Sequence, residues 1–130
     1  MYQRDYIMRM IEQLTAGIAR IAGLRQEKKH QEALATADEL LTRLFRMNGN
    51  LLRSLSARNI IEMMRMHGHL ETEPLKAMAR LLKEEGDIYL QMGRFADAYH
   101  SHLKALDLLL AAAPEEEDSD GMDLRREIEE

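Results

Sequence analysis

Residues Leu82–Ala105 read LKEEGDIYLQMGRFADAYHSHLKA, and their pattern decides the fold. Apolar and small residues recur at helical spacing on both sides of Gly93, which predicts two short amphipathic helices hinged there. Gly93 accepts the backbone angles of a tight turn between helices because it has no Cβ. Gly86, Ala98 and Ala105 are small enough for the two helices to approach closely. Tyr89 and Phe95 are expected to fill the space beside the hinge.

The first of these helices is expected to begin at Thr72 or Glu73, with Pro74 in its first turn, where a missing amide hydrogen is harmless, and to reach about Met92. Leu75, Met78, Ala79, Leu82, Gly86 and Tyr89 share its inner face. The second is expected from Phe95 to about Ala112, with Ala98, His102, Ala105, Leu106 and Leu109 inward and Pro114 closing it. Towards the N-terminus, Ile7, Ile11, Leu14, Ile18 and Ile21 alternate four- and three-residue steps, predicting a helix over about Asp5–Gln26. The polar run Arg25–His30 marks its turn. A further helix is expected over about Gln31–Arg46, with Ala33, Ala37, Leu40, Leu41 and Leu44 inward. Asn48-Gly49-Asn50 is expected to stop it, with Gly49 as a left-handed cap. Ser56 is a candidate N-cap for a short helix over Ala57–Met66, since its hydroxyl can accept an orphan amide hydrogen bond; Ile60, Ile61, Met63 and Met64 are that helix's apolar residues.

Composition agrees with an all-α protein. The 130 residues are 45% hydrophobic, 32% charged and only 5% aromatic, long enough for one domain with a real core. There is no cysteine, which excludes disulfides, thiolate metal sites and cysteine nucleophiles. No segment approaches the roughly 18 apolar residues that span a membrane, and MYQRDYIMRM lacks a signal-peptide pattern, so a cytoplasmic protein is expected. Residues 115–130 hold nine acids against Arg125 and Arg126, a net −7, whereas residues 1–114 hold 16 basic and 14 acidic residues, a net +2. The expected division is a helical domain over 1–113 and an acidic, flexible tail over 114–130. No basic stripe with interleaved aromatics suggests nucleic-acid binding.

The Leu82–Ala105 stretch resembles the tetratricopeptide repeat, whose 34-residue pattern places Gly86, Tyr89, Gly93, Phe95, Ala98 and Ala105 at expected positions. Leu82, Glu85 and His102 depart from it. An echo lies 65 residues upstream, where Ile21, Leu24, His30, Ala33, Ala37 and Leu40 stand for Gly86, Tyr89, Phe95, Ala98, His102 and Ala105. Over about residues 2–112 the chain also resembles a bacterial family of short proteins of unknown function with a tetratricopeptide-like fold. Asp5–Leu14, Leu51–Ser56 and Leu81–Tyr89 carry that likeness. It implies a fold and brings no activity, cofactor or catalytic residue. The expected architecture is therefore all-α, with tetratricopeptide-like antiparallel hairpins, about five helices and an incomplete right-handed superhelix.

The remaining constellations favour structure over chemistry. His100 and His102 point about 200° apart on a helix and cannot chelate together. His67 and His69 flank Gly68 and read as a polar turn. Neither pair suggests a metal site, and no cofactor is expected. Ten methionines are many, and most are expected to fill core gaps. Glu84 and Glu85 read as a solvated face, because catalytic carboxylates need a pocket and a positioned partner. No phosphate loop, Ser-His-Asp arrangement or metalloprotease motif occurs, so an enzyme is not expected.

What is left is a surface. Arg80, Lys83, Asp87 and Leu90 fall within about 80° by helical rotation, on the side where a helical hairpin presents its groove. Arg80 and Lys83 can attract an acidic peptide, and the acidic tail is a candidate competitor for them. The function expected is a non-enzymatic protein-interaction module that binds a peptide or partner helix in this groove. The alternatives are a structural homodimer that uses its groove for self-association and a small-ligand sensor. One and a half repeats leave a shortage of packing partners, which favours homodimerisation or an unusually protective first helix.

Overall fold

A computed structural model describes residues 2–66 and 72–116. Within them the chain is all-helical, with six helices: α1 (Tyr2–Gln26), α2 (His30–Phe45), α3 (Gly49–Ser54), α4 (Ala57–Met66), α5 (Thr72–Gln91) and α6 (Phe95–Glu116). The expectations for His67–His69 and for residues 117–130 lie outside the described residues.

The turn at Gly93 forms as its sequence requires. Gly93 has φ 76°, its amide donates to the Leu90 carbonyl, and the Arg94 amide donates to the Tyr89 carbonyl at 2.9 Å. This pair of bonds satisfies the last carbonyls of α5. The turn after α1 has the same pattern 65 residues earlier: the Lys29 amide donates to Leu24 and the Lys28 amide to Arg25. There the left-handed residue is Lys28, φ 62°, without glycine's freedom.

The unexpected sixth helix is α3. Asn48 caps it, accepting the Leu51 amide at 2.7 Å, so the Asn48–Asn50 triplet starts a helix as well as following one. The left-handed residue that ends α2 is Arg46, φ 58°, and not Gly49. Ser56 caps α4 as anticipated, accepting the Asn59 amide at 3.2 Å.

Helices α5 and α6 pack antiparallel, and α5 also lies against α1 and α2. It is therefore covered on several sides. The whole expected inner face from Leu75 to Tyr89 is buried, and Leu81 and Ile88 join it from other sides. On α2 the five expected residues are buried, with Leu34 and Phe45 in addition. In α4 Ile60 and Met64 are buried, while Ile61 and Met63 pack partly against the core. Met10, Met47 and Met78 are core residues as well, whereas Met66 is exposed.

Three facings differ from expectation. In α1 the buried stripe is Met10, Leu14, Ile18 and Ile21; Ile11 lies outside it and Ile7 is only half-buried. In α6 the inner stripe is Ala98, Ser101, Ala105, Leu108 and Ala112, so Leu106 and Leu109 face out. Small residues win that face because they let α6 approach α5 closely; a Cβ added at Gly86 would run into the His102 ring. Phe95 is exposed too. The space beside the hinge is taken by the Arg94 guanidinium, 4.7 Å from the Tyr89 ring centroid. Finally, α6 continues past Pro114 to Glu116, because the helix-forming run Leu108–Ala113 outweighs the one amide donor that proline removes.

Candidate functional site

Helix α5 carries the expected row, but its four members have different circumstances. Arg80 and Lys83 are exposed and line an open groove of about 460 Å³ with Lys76, Ala79, Glu84 and, from α6, Leu109. Leu90 is exposed near the end of α5 and does not line that groove. Asp87 is half-buried and engaged by three groups: Lys83 Nζ at 2.9 Å, Arg25 of α1 at 3.1 Å and His102 Nε2 of α6 at 3.0 Å. Burial alone would raise its pKa, but the hydrogen bonds from Lys83, His102 and Arg25 outweigh that and hold it below the ordinary value. Asp87 thus ties α1, α5 and α6 together. The bond to Asp87 in turn holds the Lys83 ammonium above its ordinary pKa.

Glu84 and Glu85 are not a solvated face. Both are buried, Glu85 to 1% exposure, because α5 is enclosed by its neighbours. Arg53, in the unexpected helix α3, reaches Glu85 at 3.4 Å and Asp38 at 3.3 Å. Lys104 of α6 donates to the carbonyls of Leu52 and Arg53 at 2.7 and 2.8 Å, a cation placed at the C-terminal end of α3. Burial raises the Glu85 pKa, with Arg53 offsetting part of the shift, and burial lowers that of Lys104. A cavity of about 90 Å³ lies beside these groups, between Leu52, Leu82, Tyr89 and His100. Ligand pockets usually run to roughly 300–1,000 Å³. The committed hydrogen bonds make this cluster a brace between α3, α5 and α6.

The largest unsatisfied feature is on α6. Phe95, Tyr99, Leu103, Leu106, Leu109 and Leu110 are all exposed. At 100° per residue they fall within about 120° of one another and form a stripe some 22 Å long. Leu109 joins this stripe to the Arg80–Lys83 groove. Sequence reasoning placed Leu106 and Leu109 in the core and missed the stripe. The signal was present as a second apolar series, 95-99-103-106-110, beside the series of small residues at 98-101-105-112.

Comparison with protein-family models, with curated proteins and with solved structures returns no match. The site must therefore be read from its own geometry. Among the described residues no three His, Asp, Glu or Cys side chains converge as a metal site would require, and no described helix is long and apolar enough to cross a membrane.

Proposed function

We propose that the chain is a non-enzymatic helical interaction module whose working surface is the outer face of α6 together with the Arg80–Lys83 edge of α5. The observation that carries this reading is the uncovered stripe from Phe95 to Leu110. Its six large apolar side chains sit in one row, the arrangement by which a groove or helix face receives an amphipathic helix. Arg80 and Lys83 extend this surface beyond Leu109 with positive charge, which strengthens the hold on any acidic group that a partner places there. A tetratricopeptide-like organisation, with two hairpins stacked in a right-handed sense, is part of the same proposal. It is supported by the matching turns at Lys28 and Gly93, 65 residues apart. The commitment of Glu85, Arg53 and Lys104 to one another and to backbone carbonyls supports a structural role for the buried charges.

Affinity capture from the native host tests the reading, scored both for foreign proteins and for untagged copies of this chain. The stripe variant Leu106→Glu/Leu110→Glu should lose what the wild-type chain retains, and Arg80→Glu/Lys83→Glu should weaken it. Equal retention by the wild type and both variants would remove the proposed surface.

A further inference from the structure

We infer that the occupant of the α6 stripe is a second copy of this chain, packed antiparallel across a twofold axis that passes between His102 and Leu103. The inference rests on the surface proposed above and names its partner.

The first argument is the symmetry of the stripe itself. A twofold interface must be self-complementary, because each surface patch meets its own copy. Phe95 and Leu110 are equally distant in sequence from the midpoint between His102 and Leu103, and so are Tyr99 and Leu106. An antiparallel copy sharing that midpoint sets each exposed aromatic against an exposed leucine. Like-charged side chains do not face one another in any of these pairs.

The second argument is area. Phe95 and Tyr99 are 67% and 63% exposed, and the four leucines lie between 40% and 60%. With aromatic side chains offering roughly 150–250 Å² each, the stripe leaves on the order of 600 Å² uncovered, the top of the range for a monomer's largest patch. Doubling that across a twofold axis gives about 1,200 Å², where specific, stable interfaces begin. The stripe is large enough to close on itself.

The absence of cysteine makes the register directly testable in the full chain. Sedimentation velocity from about 1 to 100 µM should show a monomer passing to a dimer, with Leu106→Glu weakening association at least tenfold. Circular dichroism should show unchanged helicity for that variant. Independently, an equimolar mixture of Tyr99→Cys and Leu106→Cys chains should form the mixed disulfide faster than either chain alone forms its own. A monomer at every concentration, a dimer indifferent to Leu106→Glu, or no preference for the mixed disulfide would each overturn the inference. A monomer that dimerises only after removal of residues 117–130 would overturn it by assigning the stripe to the chain's own end. If the full chain is monomeric yet loses a captured foreign protein on Leu106→Glu, the second copy is refuted while the interaction surface stands. If that variant alters neither mass nor capture, both fall.

Discussion

Replacing Arg53 by methionine should make stability fall more steeply with rising pH than it does in the wild type. Glu85 is 1% exposed, and its nearest cation is Arg53 at 3.4 Å; the Lys104 ammonium is held by the carbonyls of Leu52 and Arg53. Removing one partner of a fully buried ion pair costs about 3–5 kcal/mol, because the other charge is stranded. The Arg53 head group is 36% exposed, so water can take part of its place, and about 2 kcal/mol is expected near pH 7. The sign follows from burial, which raises the Glu85 pKa above its ordinary 4.5. The folded state then holds that proton to higher pH than the unfolded state does. Ionising Glu85 therefore destabilises the fold, and this cost is absent below pH 4.5 and grows as pH rises through the folded value. Arg53 offsets part of the cost in the wild type. Urea unfolding of the wild type, Arg53→Met, Glu85→Gln and the double variant measures each term near pH 4 and pH 7. Arg53→Met should cost about 2 kcal/mol near pH 7 and much less near pH 4. In the Glu85→Gln background its cost should fall below about 1 kcal/mol, which isolates the coupling between the two side chains. An equal loss at both pH values, or an undiminished loss in the Glu85→Gln background, would refute the stranded-charge reasoning.

Other substitutions probe the elements that set the surface. Gly86→Ala should gain about 1 kcal/mol in helix propensity and lose about 1–3 kcal/mol to the added methyl against His102. A net loss near 1 kcal/mol in denaturant unfolding, with a shifted His102 ring resonance, is the expected result; net stabilisation would show that α6 does not lie this close to α5. Lys28→Gly relieves a left-handed lysine and should raise stability by about 0.5–1 kcal/mol without changing the helix content seen by circular dichroism. Asp87→Asn removes the group that Arg25, Lys83 and His102 share. Because the Asp87 pKa is held below its ordinary 3.8, its contribution is complete above that pH and is lost as pH falls through the folded value. The variant should be about 1 kcal/mol less stable than wild type near pH 7 and indistinguishable from it in strong acid, as read by chemical unfolding.

The elements legible in the sequence were those fixed by local chemistry. Gly93, Ser56 and the inner row from Leu75 to Tyr89 act through their own backbone or their own helical period. The facing of α6 was not legible from hydrophobicity. Both of its stripes are apolar, and a rule that buries the larger side chains selects Leu106 and Leu109. Close approach selected Ala98, Ser101 and Ala105 instead, and that depends on what lies across the interface at Gly86. Glu85 was misread for a related reason. Its burial follows from partners distant in the chain, Arg53 on a helix the sequence did not announce and Lys104 on α6. Of the expected site, Arg80 and Lys83 lie together on a groove, whereas Asp87 is drawn into a cluster that includes Arg25 and His102.

Hydroxyl-radical footprinting of Phe95 and Tyr99 tests the working surface most directly, because it reads the side chains themselves in the unmodified chain. Both rings should be labelled rapidly in dilute protein and become protected as concentration rises, while Tyr89, buried under Arg94, stays protected throughout. Labelling of Phe95 and Tyr99 that is slow in dilute protein would contradict the exposed surface itself, and labelling equally fast at every concentration would contradict its closure on a second copy.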